Sequence, residues 1–190
     1  MRLRVVVVGI PGVGKTTVVD KVRAGIPGSK LVTFGTVMFE EGSRLKWVSD
    51  RDKMRALPVD KQRRLQTLAA ARIARMKESV VLVDTHLFIR TREGYWPGLP
   101  FEVARALKPT HLLLVEADPE EIARRRASDK KRARDALTRE ELAAELALGR
   151  SFLAASSTLT GAPMLMVANH EGKSDEAAEI AIRMLKEASS

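Results

Sequence analysis

The chain has 190 residues, 45% of them hydrophobic, and no cysteine, which suits one domain with a sizeable core and excludes disulfides and any cysteine-ligated zinc. Lys and Arg outnumber Asp and Glu by 33 to 24, for a formal net charge of +9, so anionic partners are expected, either nucleic acid or a site crowded with phosphates. Aromatic residues at 4% argue against a stacking platform for single-stranded nucleic acid.

Residues 3–8 centre on four consecutive valines and read as a strand buried on both faces, as in a parallel sheet. No charged-then-apolar leader precedes them and no apolar run of about 18 residues occurs anywhere, so neither secretion nor membrane spanning is expected. Gly9-Ile10-Pro11-Gly12-Val13-Gly14-Lys15-Thr16 follows and leads into Thr17. This is the G-x-x-x-x-G-K-[ST] pattern of a P-loop, placed between a strand and a helix as its chemistry requires. The glycines let successive backbone N–H groups point at a phosphate, and the helix start adds its unpaired N–H groups and positive dipole end. Gly9 to Thr17 is therefore the expected ATP-binding stretch. Lys15 is expected on the β- and γ-phosphates and the Thr16 hydroxyl on Mg²⁺.

The first helix is expected to end near Ala24, before Gly25-Ile26-Pro27-Gly28. A second short strand is expected over 30–34, then a turn at Gly35-Thr36 opening another helix. Gly35 to Arg55 carries Arg44, Arg51 and Arg55 with apolar Val37, Met38 and Phe39. That combination suits a small flap, with an apolar slot and cationic ends, for a nucleoside monophosphate. Pro58 and Asp60 start a long helix from Lys61 to about Lys77.

Residues 80–84 form a third apolar strand ending in Asp84, where a P-loop protein places an acid for Mg²⁺. Thr85-His86 and a Gly/Pro-rich loop through Pro100 come next, then a short helix over 101–107 and a fourth strand over 111–116. Tyr95 and Trp96 either wall the monophosphate slot or pack beneath it. Asp118-Pro119 caps a helix through Arg126. Seven basic residues fall within Arg124 to Asp135. Arginines here, joined by Arg150, could close over a triphosphate and neutralise charge on the transferred phosphoryl group. Thr138 to Glu141 is a capping box for a helix to about Leu159. A fifth strand over 164–168, a turn at Asn169-His170 suited to contact an adenine edge, and a last helix over 174–188 complete the chain. The expected fold is α/β: a five-stranded parallel sheet with helices on both faces, and ligands at the carboxyl ends of the strands.

GIPGVGKT, residues 29–40, VSDRDKMR, VDTH, GYWPGLP and RRASDKKRARD together resemble the archaeal-type adenylate kinases, over Val5 to about Ala162. The resemblance implies a nucleoside monophosphate kinase fold of the P-loop NTPase class in a single domain over 1–190. It implies an AMP flap over 35–60, a short lid over 127–137, and the reaction ATP + AMP ⇌ 2 ADP with Mg²⁺. It further implies ATP, AMP and ADP as ligands, a cytoplasmic enzyme and a homotrimer. Carried onto this chain, Gly12, Gly14, Lys15, Thr16 and Thr17 hold the ATP phosphates. Gly35, Thr36 and Arg55 line the AMP site, with Asp84, Thr85 and His86 close by. Lys15, Arg126, Arg132, Arg134 and Arg150 are the catalytic cations, and Thr16 and Asp84 the metal ligands. The Asp-Gly-x-Pro-Arg type of run after the third strand is absent, so which arginine grips the AMP phosphate is left open, with Arg90 and Arg92 as candidates. Two other readings remain: a kinase for another monophosphate or small acceptor, and a P-loop ATPase acting as an RNA-binding assembly factor.

Overall fold

A computed structural model describes residues 2–91, 93–128 and 137–189. Five strands form one parallel sheet: β1 (Leu3–Val8), β2 (Lys30–Thr33), β3 (Val80–Asp84), β6 (His111–Glu116) and β7 (Met164–Ala168), in the order β2-β3-β1-β6-β7. The apolar runs explain the central position of β1, since a strand covered on both faces cannot alternate with polar residues. Its alternate side chains feed two cores. Leu3, Val5 and Val7 pack with Val18, Val19 and Val22 of α1 (Lys15–Gly25) and with Ala178 and Leu185 of α8 (Ser174–Ser189). Val6 and Val8 face the other way, toward helices α2 (Phe34–Arg44), α4 (Val59–Ala74) and α5 (Phe101–Leu107). Leu153 of α7 (Arg139–Thr160) joins that second core, whereas Leu142 and Leu146 of the same helix reach the first.

Two short helices complete the described chain, α3 (Arg51–Arg55) and α6 (Pro119–Ser128). The Asp50 side chain accepts from the backbone N–H of Lys53 and starts α3, and Thr138 with Glu141 forms the expected capping box of α7. Arg4 is buried within β1, and its guanidinium donates to the carbonyls of Leu3 (2.9 Å) and Glu78 (3.2 Å) and to that of Met76.

Three expectations are corrected. The second strand ends at Thr33, so Phe34 and Gly35 lie in the first turn of α2 rather than in a strand and a turn. The long helix ends at Ala74, short of Lys77. The segment after Asp84 is not a plain loop: β4 (Phe88–Thr91) and β5 (Gly94–Pro97) form an antiparallel hairpin apart from the main sheet. Phe88 meets Tyr95 edge to face at 5.1 Å and leans on Phe152 of α7 at 5.7 Å, which fastens the hairpin to the body. Tyr95 and Trp96 thus lie on the hairpin, outside the residues lining the cleft below.

Parallel pairing gathers the carboxyl ends of the strands at one edge. Asp84 sits opposite both Val7 and Thr33, and Glu116 opposite Ala168. The chain leaves β1 for β2, beyond β3 on one side, and later leaves β3 for β6 on the other side of β1, so a crevice opens at the strand ends, where Gly9 begins.

Candidate active site

The loop after β1 is built so that only glycine fits at three of its positions. A Cβ on Gly9 would lie 2.6 Å from the carbonyl oxygen of Val115. Gly12 and Gly14 have φ of +98° and +80°, in the left-handed region. Gly14 is the N-cap of α1, with no side chain capping the helix and no acid in its first turn. The first N–H groups of α1 are therefore left to an anion. Thr16 and Thr17 are exposed at the same helix start.

Lys15 reaches across to Asp84 at the end of β3 and donates to its Oδ1. Burial pushes the Lys15 ammonium down to about 8, and the Asp84 carboxylate beside it works against that push. Lys15 and Asp84 also wall a cavity of about 360 Å³ between the P-loop and the expected flap. Thr85, His86 and Gly98 line it beside Asp84. Phe34, Gly35, Met38, Arg51, Met54, Arg55, Gln62, Gln66 and Ile89 enclose the rest. Gly98 is forced here, since a Cβ would lie 2.0 Å from the carbonyl oxygen of His86.

The expected acceptor residues thus divide. Gly35, Arg55, Asp84, Thr85 and His86 line this cleft. Thr36 does not; its hydroxyl accepts from Arg51 at 2.7 Å and so positions an arginine that does. Of the three apolar flap residues only Met38 lines the cleft, while Val37 is buried in the core. Arg44 is occupied by Glu41 at 2.7 Å, away from the cleft.

The expected arginines divide as well. Arg126 lies over the P-loop, its Nε donating to the carbonyl of Pro11 at 2.8 Å, its stem packed near Gly12. Its Nη2 is 3.5 Å from Glu145 of α7, a buried carboxylate that also sits 4.0 Å from Arg90 of the hairpin. Arg150 grips Glu116, at the end of β6, through two contacts of 2.8 and 3.1 Å, and this carboxylate holds its guanidinium above the ordinary arginine range. Arg132 and Arg134, with residues 129–136 of the expected lid, lie outside the described residues, as does Arg92.

Asn169 is buried, and its amide donates to the Val13 carbonyl at 2.7 Å, so this side chain is spent on the P-loop rather than on a base edge. Arg125 ties the same corner, donating to Val13 (3.2 Å) and to the Asn169 carbonyl (2.9 Å). His170, next along, lies 3.5 Å from Asp118 and 3.6 Å from Glu121. Glu121 already accepts the backbone N–H groups of Asp118 and Glu171, so this trio acts first as the cap of α6.

Glu116, Glu145, Gln62 and Gln66 escaped the sequence reading. The carboxylates are invisible in sequence because a glutamate on a helix or at a strand end has no local mark of its tertiary partner. Of the expected catalytic cations, Lys15, Arg126 and Arg150 each meet an acid from a different element.

Comparisons with known proteins agree with this architecture. Residues 8–143 match a family described as an AAA domain. The chain is 43% identical over 183 residues to an adenylate kinase of Thermoplasma acidophilum, covering 96% of this chain and 98% of that one. It is 42% identical over 188 residues to an adenylate kinase of Methanocaldococcus jannaschii, covering 96% and 97%. Among solved structures, a shikimate kinase from Bacteroides thetaiotaomicron superposes with a TM-score of 0.62 over 97% of this chain and 98% of that one, at 12% identity, which speaks to the fold alone.

Proposed function

The chain belongs to the adenylate kinase family, and from that premise we propose that it catalyses ATP + AMP ⇌ 2 ADP in the crevice beside β1. One observation carries the reading: Lys15 of the P-loop also walls the cavity enclosed by the flap, so a donor phosphate on the loop and an acceptor in the cavity meet at one ammonium.

In this reading Gly9 to Thr17 hold the ATP phosphates on backbone N–H groups, with Lys15 on the transferred group. Gly35 and Arg55, with Asp84, Thr85 and His86, receive AMP, while Thr36 acts through Arg51. The acceptor is a phosphate oxygen, largely ionised at neutral pH, so the reaction needs no general base. It needs alignment of two oxygens about one phosphorus and neutralisation of the charge between them. Arg126 and Arg150, released from Glu145 and Glu116, supply that charge together with Arg132 and Arg134 of the 127–137 lid.

Thr16 and Asp84 fit a hard divalent cation, because both offer oxygen and Lys15 engages only one carboxylate oxygen of Asp84. Mg²⁺ held there with ATP would supply charge neutralisation for the phosphates. The single-domain division into a flap over 35–60 and a lid over 127–137, a homotrimer and a cytoplasmic setting are part of the same proposal and rest on the family likeness.

A coupled assay of ATP with AMP, CMP, UMP and GMP in turn tests the reading. ADP formation is expected to be fastest with AMP and to require Mg²⁺. No ADP above the ATP-only rate with any acceptor overturns it. Tight RNA binding that weakens by decades as salt rises would instead favour an RNA-directed ATPase, the partner class that the +9 charge also suits.

A further inference from the structure

The cleft lined by Phe34, Met38, Met54 and Ile89 offers apolar, polarisable walls for a flat ring, and α4 adds two carboxamides one helical turn apart, Gln62 and Gln66. The two differ in what holds them. Gln62 Nε2 donates to the carbonyl of Leu57 at 2.8 Å and to that of Arg55 at 3.1 Å. Both its N–H groups are thereby used on the turn that joins α3 to α4. A carboxamide turned over would set its oxygen against those two carbonyls, so its orientation is locked. What remains for the cleft is Oε1, an acceptor that cannot become a donor.

We propose that Gln62 determines the acceptor base: its locked carboxamide oxygen accepts from the exocyclic amino group of a 6-aminopurine and repels the 6-oxo group of hypoxanthine or guanine. This deepens the kinase reading and rests on it. The selection follows from the donor and acceptor pattern alone. Adenine offers an N–H donor at position 6, whereas the 6-oxo purines place a second acceptor there, facing Oε1. A site that fixes one polar group in a cleft discriminates most strongly against the partner that leaves it opposed by a like dipole. Gln66, one turn along, carries no hydrogen bond among the described residues and can turn either way, so it adds affinity without choosing the base.

The test is a series of acceptors that differ only at position 6, assayed with ATP on wild-type protein and on Gln62→Met. Wild type should use AMP about tenfold better than purine riboside monophosphate, which lacks the amino group, and about a hundredfold better than inosine monophosphate. In Gln62→Met the AMP to purine riboside ratio should collapse toward one, whatever the variant's overall rate. An unchanged ratio in the variant overturns the assignment of Gln62. Should Gln62→Met fail to fold, equal wild-type use of AMP and the inosine compound overturns it alone. Absence of ADP with every acceptor is a different failure, that of the kinase reading.

Discussion

Glu145 Oε2 lies 3.5 Å from Arg126 Nη2, with each side chain about nine-tenths removed from solvent, and Arg90 approaches the other oxygen of the same carboxylate. One helix glutamate thus binds a guanidinium from the P-loop side of the crevice and one from the hairpin side. Removing its charge leaves a desolvated arginine with only the Pro11 carbonyl. Glu145→Gln is expected to lower stability by about 3 kcal/mol, the lower end for breaking a buried pair, read from urea unfolding. Removing both charges together, in Arg126→Met with Glu145→Leu, should restore part of the loss. A wild-type unfolding midpoint in Glu145→Gln would mean the carboxylate does not hold Arg126 in solution.

Lys15 belongs to the P-loop and also lines the cleft proposed for the acceptor, so its loss should strike the chemical step rather than folding. Lys15→Met is expected to reduce kcat on the order of a thousandfold, the scale for deleting a charge aimed at a transition state. Steady-state assays with saturating ATP and AMP measure it. A loss below tenfold would place Lys15 away from the transferred phosphate.

The same ammonium gives a pH signature. Burial lowers Lys15 from its ordinary 10.5 to about 8, so in the free protein it is charged below that pH and neutral above it. A triphosphate needs the charged form and raises the group again on binding. ATP binding should then weaken as pH climbs past 8 and should take up more than half a proton at about pH 8.5. Calorimetry in two buffers of different ionisation enthalpy reads that uptake directly, and Lys15→Met should abolish it. The linked effect on folding has the opposite sense: the lowered value costs stability below pH 8, and the cost disappears between 8 and 10.5. Constant proton uptake near zero across this range would show that Asp84 keeps the ammonium charged.

Much of the fold is legible in the chain because its strands are continuous apolar runs. Val5 to Val8, Val80 to Val83 and Leu112 to Val115 admit no other reading than strands covered on both faces, and their alternation with helical segments dictates a parallel sheet. The hairpin from Phe88 to Pro97 hides because each strand has four residues, mostly exposed, and Gly94 and Pro97 signal a loop. The P-loop is legible for a related reason, since its chemistry is written in consecutive residues. Glu145 is not, because nothing local separates it from Glu140 or Glu141; only the docking of α7 against α6 and the hairpin gives it two arginines. Gln62 is equally silent, its meaning residing in two carbonyls of the preceding turn.

The corner between the P-loop and the last strand makes a final claim. Asn169 is buried, and its amide nitrogen holds the Val13 carbonyl while occupying the space beside Gly14. A Cβ on Gly14 would lie 2.3 Å from that nitrogen, and φ of +80° penalises any side chain there on its own account. Two separable costs are therefore predicted for Gly14→Ala, a clash and a backbone strain of about 1–2 kcal/mol. Asn169→Ala alone should cost about 1–2 kcal/mol, because Val13 keeps its bond from Arg125, and should raise the KM for ATP more than it lowers kcat. In the double variant the clash has gone and only the strain is left. Its loss of stability should then be smaller than the sum of the two single losses, with Gly14→Ala costing less on the Asn169→Ala background than on wild type. Strict additivity in thermal or urea unfolding would show that the two residues do not press on each other, and that Asn169 does not brace the loop.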